Sequence, residues 1–250
     1  MNPVILYERI FTAAEITADQ EASGFPDDQL ANLQPYKRWK GTSSANQLIT
    51  FNLGAAASAD AFGIAGHNLG TIGADVIMQY WNGSTWVNAA TLYQPTSDIS
   101  IFRLFTTQTS DQWRLSLTSM SGTPEIGVIR LGDRLTMEKP LSGTWDPNHQ
   151  RTEFSSNISK GGNLLQNEVR FRETVQRAEF RRLTDTWYRA TFLPAWNAHL
   201  YRADPFFFAW DYDRFPDEVG FLRVSSAELS APYDPVRRPL SLILEGLFGS

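Results

Sequence analysis

Cysteine is absent from the 250 residues, and histidine occurs only three times. Without cysteine there are no disulfide staples and no thiolate metal sites, which argues against a small oxidised, secreted scaffold. His67, His149 and His199 are scattered, with no i,i+4 pair to grip a metal ion. Long apolar runs are missing too, none approaching the roughly 20 residues that cross a bilayer. The opening MNPVILYERIFTAAEITADQ lacks a basic lead and carries Glu8 inside its short apolar run, unlike a secretory signal. The expected setting is a cytosol, without membrane insertion. An excess of positive charge is also lacking: the net charge of −5 removes any general affinity for nucleic acid or anionic lipid. Eighteen of the 22 basic residues are arginine, whose planar fork suits carboxylate pairing at buried or subunit surfaces.

Catalytic signatures are missing as well. The densest glycine cluster, SADAFGIAGHNLGTIGADV, sets Gly63, Gly66, Gly70 and Gly73 around His67 and Asn68. A dinucleotide loop needs G-x-G-x-x-G opening a helix, but here the glycines fall 3, 4 and 3 apart and strand-like sequence follows. A P-loop needs Gly-Lys-Ser/Thr, and no lysine occurs between Lys40 and Lys139. No G-x-S-x-G or H-E-x-x-H motif occurs. The segment therefore reads as a structural crossover loop. Gly66 and Gly70 allow unusual torsions there, and His67 and Asn68 hydrogen-bond backbone. DYDRFPDE (211–218) is acidic but lacks the central glycine of a calcium loop, so it reads as a solvated turn, with an exposed oxygen-ligand site as the alternative. No enzymatic activity, cofactor or metal is expected.

What the chain does have is short strands. LITFNL (48–53) alternates apolar and polar residues, and AFGIAG (61–66) and ADVIMQYW (74–81) follow. NGSTW (82–86) is a polar turn leading into WVNAATL, a hairpin signal. SIFRLF (100–105), QWRLSLT (112–118) and EIGVIRL (125–131) complete a series spaced as in a sandwich or barrel. Pro140, Gly143 and Pro147 then interrupt the pattern. Beyond them, EVRFRETVQRAEFRRL (168–183) and TWYRATF (186–192) read as strands, and LPAWNAHLYRA (193–203) as a short helix with Pro194 in its first turn. Two strands joined at Pro216–Asp217 and a closing strand in RRPLSLILEGLF (237–248) end the chain. FFFAWDY (206–212) is too continuous for one solvated face, so it is buried on both, within the fold or against a neighbouring subunit. Trp39, Tyr80, Trp81, Trp86 and Tyr93 can either build a sugar-stacking platform or simply pack.

The run from ASGFPDDQLANLQPYKRWKGT through QLITFNLGAAASADAFGIAGHNLGTIGADVIMQYWNGSTWVNAA, FRLFTTQTSDQWRLSLTS and PEIGVIRLG resembles a discoidin-like, or galactose-binding-like, jelly roll. Trp39, 48–54, 74–81 and 82–86 occupy that family's tryptophan, strand and hairpin places. The first loop departs from it, with QPYKRW where the family commonly has Asp-Gly before the tryptophan. The chain therefore reads as mainly β: residues 1–16 an N-terminal arm, 17–136 the discoidin-like β-sandwich that the resemblance implies, and 137–150, with its Pro and Gly breaks, a linker. Residues 151–250 would form a second β-rich barrel or sandwich with a short helix.

AGHNLGTIGADV is similar to tail-tip proteins of tailed bacteriophages, and EVRFRETVQRAEFRRL…DPFFFAWD…EVGFLRV to distal-tail and minor tail proteins. Distal-tail proteins pair a ring-forming barrel with a carbohydrate-module-like sandwich, here in reversed order. That similarity implies a non-catalytic subunit of a tail tip or baseplate, assembled in the bacterial host cytoplasm and resident in the virion. It would form a homo-oligomeric ring joining the tail tube to hub or fibre proteins. Arg170, Arg172, Arg177, Arg181, Phe206, Phe208 and Trp210 would supply the assembly interface. The alternative is a carbohydrate-binding module that recognises a host-surface glycan through Trp81, Trp86 and Tyr80.

Overall fold

The computed structural model describes residues 2–147, 149, 151–229 and 237–247. Among these residues the fold is mainly β, with every strand pairing antiparallel. The strands are β1 (Val4–Leu6), β2 (Ile16–Ala18), β3 (Trp39–Lys40), β4 (Gln47–His67), β5 (Asp75–Trp81), β6 (Trp86–Asn88) and β7 (Ile101–Thr118). There follow β8 (Glu125–Gly132), β9 (Leu135–Thr136), β10 (Arg151–Ile158), β11 (Leu164–Thr184), β12 (Phe206–Ala209), β13 (Val219–Glu228) and β14 (Arg237–Leu247). One sheet runs β3-β8-β4-β7-β5-β6, with β2 added beside β4; the other runs β10-β11-β14-β13-β12-β1-β9. β1, from residues 1–16, is thus an inner strand of the second sheet, between β12 and β9.

The first sheet curls around its own core. Both halves of β4 (Ile49 and Phe51, then Phe62 and Ile64) and both halves of β7 (Ile101 and Phe105, then Trp113, Leu115 and Leu117) bury side chains in one cluster. Register shifts between Asn52 and Ala57 and between Ala59 and Ala61 bend β4 enough to do this. A second cluster joins the two sheets: small Ala61 and Ala65 with Phe102 and Val128 meet Val4, Leu6, Phe207, Ala209 and Phe221. A third fills the far side of the second sheet, from Ile5, Phe180, Phe206, Phe208, Leu240, Leu242 and Leu244. β12 is therefore buried on both faces, and the neighbour that covers FFFA is this same chain. Phe206 and Phe208 are 0% and 2% exposed. That corrects their expected place at an assembly interface, because β12 is an inner strand sandwiched between two cores. Polar ties reinforce the junction: Arg103 pairs with Asp217 and donates to the Pro216 carbonyl at 2.9 Å. The Leu104 N–H donates to the Tyr212 hydroxyl at 3.1 Å.

TWYRATF, expected as a strand, is helical: Asp185–Trp187, a π-turn at Tyr188–Phe192, then Leu193–Ala198. Thr184 caps it, its hydroxyl accepting from the Trp187 N–H at 3.2 Å. Tyr188, Phe192 and Trp196 recur every four residues and so line one helical face over the third core. Read over only seven residues, that repeat looks like alternation.

Candidate functional site

The hairpin between β5 and β6 is closed by Asn82. Its side-chain oxygen accepts the N–H groups of Ser84 (3.0 Å) and Thr85 (2.9 Å), and Gly83 supplies φ +95°. So tight a turn sets Trp81 directly opposite Trp86. The two indoles meet edge to face, 5.5 Å between centroids with planes 61° apart. Alternation along β5 sends Val76 and Met78 into the core, and Gln79 and Trp81 to the outside. Tyr80 points the other way. It packs on the core with its ring 5.9 Å from that of Trp113, so it does not share a surface with the two tryptophans.

Beside the tryptophans lies a row of residues in register across five strands: Asn88, Gln79, Arg114, Thr50 and Thr17. At the usual strand spacing the row is roughly 19 Å wide. Its members hold one another. The Gln79 amide donates to Asn88 Oδ1 at 2.7 Å, and Arg114 Nε donates to Gln79 Oε1 at 2.6 Å. The Arg114 guanidinium lies over the Trp86 ring, 4.3 Å from its centroid. Gln112 and Asn52, paired on the next row, extend the polar surface. The result is an aromatic pair beside a fan of amides, hydroxyls and one cation. Chemically it can stack the apolar face of a ring and hydrogen-bond its substituents. Sequence reading reached Trp81 and Trp86 through the hairpin motif but missed Gln79, Asn88 and Arg114. The alternation in QWRLSLT shows that Arg114 opposes Trp113; only the pairing shows that it meets Trp86.

The other aromatics of that set lie apart. Trp39 is fully buried, its Nε1 donating to the Gln20 carbonyl at 3.0 Å. Tyr93 sits under the Arg103 guanidinium and donates to Asp217, and burial pushes its hydroxyl up to about 12.

The glycine–histidine loop contains no constellation for chemistry. His67, 4% exposed, ends β4; its Nε2 donates to the Ile99 carbonyl at 2.8 Å and its Nδ1 accepts the Leu69 N–H at 3.2 Å. Asn68 donates to the Thr123 carbonyl and accepts from the Glu125 N–H. Gly66 (φ +66°) lies against the Pro35 carbonyl and Gly70 against the Ser97 backbone. Among the described residues no three His, Asp or Glu side chains converge as a metal site, and no helix is long and apolar enough to cross a membrane.

The arginines assigned to assembly are dispersed along β11. Arg170 is exposed, and Arg177 and Arg181 flank Glu179 at 3.5 and 3.6 Å; the side chain of Arg172 lies outside the described residues. Trp210, half-buried, donates to Glu218 at 2.8 Å and stacks on Phe215. A different surface stands out at this end. Among the described residues, β10 and residues 164–172 pair only with each other, and β14 pairs with β11 from Glu173 onward. On this two-stranded ribbon the cross-strand pairs Phe154–Val169 and Ile158–Leu164 are all exposed.

No family model and no curated protein sequence matches the chain. Solved structures do. Chitosan-binding module 1 from a chitosanase/glucanase of Paenibacillus sp. IK-5 covers 50% of this chain and 98% of its own, at 16% identity and TM-score 0.44. CpGH89CBM32-5 from Clostridium perfringens, in complex with GalNAc-β-1,3-galactose, covers 49% and 98%, at 14% identity and TM-score 0.42. The CBM32 of AlyQ, in complex with 4,5-unsaturated mannuronic acid, covers 52% and 97%, at 16% identity and TM-score 0.41. Each of these similarities spans about half of this chain and nearly the whole of the other protein's.

Proposed function

We propose that this chain is a glycan-binding protein whose ligand rests on the outer face of β6-β5-β7-β4. One observation carries the reading: the Trp81–Trp86 pair stands at the edge of an in-register row of amide, guanidinium and hydroxyl groups. Core packing alone gives a half-buried tryptophan no reason to sit beside Gln79, Asn88 and Arg114 on a solvated face. Because the indole planes are 61° apart, a sugar ring cannot lie flat on both. One indole is the floor and the other a wall, while the amide row meets the hydroxyls. Trp81→Ala and Trp86→Ala are each expected to lower glycan affinity at least about tenfold, the worth of one well-packed aromatic contact. Both residues are only half-buried, so the fold should survive. Glycan-array screening followed by calorimetry on the best binder is the measurement. A protein that binds nothing on the array, or binds equally well without either indole, would remove this reading.

A second reading, assembly into a tail-tip or baseplate ring in a virion, is favoured by the ribbon of β10 and β11. A two-stranded ribbon is marginal alone, and this one presents Phe154, Ile158, Leu164 and Val169 to solvent. In this reading the ribbon seats against a second copy of the chain. Native mass spectrometry should then show discrete oligomers that Phe154→Ser with Ile158→Ser returns to monomer, with a melting temperature essentially unchanged since both side chains are exposed. A strictly monomeric protein at high concentration would end the assembly reading.

A further inference from the structure

Arg114 is the one charged member of the row from Asn88 to Thr17. Its Nε is committed to Gln79 and its plane to Trp86, which hold the guanidinium still and leave the two Nη groups at its far edge. Among the described residues it forms no ion pair, whereas Arg151 and Arg223 each meet the glutamate paired with them across the sheet, Glu173 and Glu245. Partial burial without an anion draws its pKa down. The nearest carboxylate along β5, Asp75, lies four residues from Gln79, about 13 Å at strand rise, and accepts from the Ser119 hydroxyl at 2.6 Å. Within the row Arg114 is therefore the one cation, held in place and without an ion pair among the described residues, on a protein of net charge −5.

From this geometry we infer that the face selects an acidic sugar, a uronate unit of a polysaccharide, whose carboxylate takes the fork of Arg114 while its ring rests on the tryptophan pair. A carboxylate offers two coplanar oxygens to the two Nη donors, which is the pairing that a fixed, planar guanidinium fits best. Neutral sugars would leave the cation half-desolvated and unpaired. Gln79 and Asn88 flank it with amides, suited to the hydroxyls next to a carboxylate. The inference rests on the glycan reading above and adds the ligand's chemical class.

The test is affinity electrophoresis and calorimetry with the whole chain against polygalacturonate and alginate, their carboxyl-reduced neutral counterparts, and a sulfated polysaccharide. The acidic polymers should bind, more weakly as salt rises, and carboxyl reduction should cost about 10–100-fold. Arg114→Gln should lose the same factor on the acidic polymer and little on the reduced one. Arg114→Lys keeps the charge without the fork and should recover only part, with thermal melts of both variants confirming the fold. Equal binding of acidic and reduced polymers, or binding of the sulfated polymer alone, would overturn the uronate inference and leave the glycan reading standing. Absence of binding to all of them, and to the neutral glycans of the array, would overturn both.

Discussion

Gly66→Ala should destabilise the protein by about 3 kcal/mol, while Gly73→Ala, with nearly the same backbone torsion, should lose only about 1 kcal/mol. The two glycines have φ +66° and +65°, so the left-handed penalty on an L-residue is common to both. They differ in what a methyl group would meet. At Gly73 there is nothing within 4 Å; at Gly66 the added carbon would lie 2.4 Å from the Pro35 carbonyl oxygen and 2.7 Å from its Cβ. Gly66 stands between the pairs Ala65–Val128 and His67–Ile126, opposite Gly127. A carbon added at Gly127 would in turn lie 2.3 Å from the same Pro35 carbonyl oxygen. Two facing glycines thus expose a bare patch of sheet backbone on which the 32–38 loop rests. Filling that patch pushes main chain against main chain, which no rotamer change can relieve. Urea titrations of both variants, run side by side, give the comparison. Equal losses would show that torsion alone accounts for the glycine and that the Pro35 contact yields freely.

That pair of glycines illustrates what could and could not be read from the sequence. The glycine spacing excluded a phosphate loop, since neither fingerprint nor following helix was present. It could not reveal Pro35, 31 residues earlier, as the reason for Gly66. Strands with strong apolar alternation were legible: 48–53, 112–118 and 125–131 all lie inside β4, β7 and β8. Their length was not. GAAASAD separates what reads as two strands, yet β4 runs unbroken from Gln47 to His67, because pairing with β7 through two register shifts carries a segment whose own side chains bury little. The double burial of FFFA was legible in its unbroken apolarity, and which of two neighbours covered it was decided only by β1 and β13 flanking it. The candidate site divides in the same way. Trp81 and Trp86 follow from a local hairpin motif; Arg114, 28 residues beyond Trp86, joins them through sheet register that no local pattern encodes.

His67 should make the protein lose about 3 kcal/mol of stability between pH 6.5 and pH 4. Burial is the main cause of a pKa lowered to about 4, offset in part by the hydrogen bond to the Ile99 carbonyl and the charge of Asp98. The hydrogen bonds explain why the ring stays neutral: Nδ1 faces the Leu69 N–H and must accept, so a proton there would set donor against donor. In the unfolded chain the imidazole titrates near 6.5. Above that pH both states carry neutral histidine and its contribution is complete. As the pH falls from 6.5 to about 4, the unfolded state binds a proton that the folded state refuses, and stability declines by about 1.4 kcal/mol per unit. Below 4 both states are protonated and this group adds no further loss. His199, whose pKa burial also lowers, and Asp60, whose pKa burial raises, contribute slopes of their own. The decisive quantity is therefore the difference between wild type and His67→Gln, in which those slopes cancel. Glutamine can still donate to the Ile99 carbonyl but cannot titrate. At pH 7.5 the wild type should be the more stable protein, and at pH 4.5 most of that advantage should be gone. Parallel stability curves over that range would mean that His67 does not resist protonation and that the loop tolerates a charged ring.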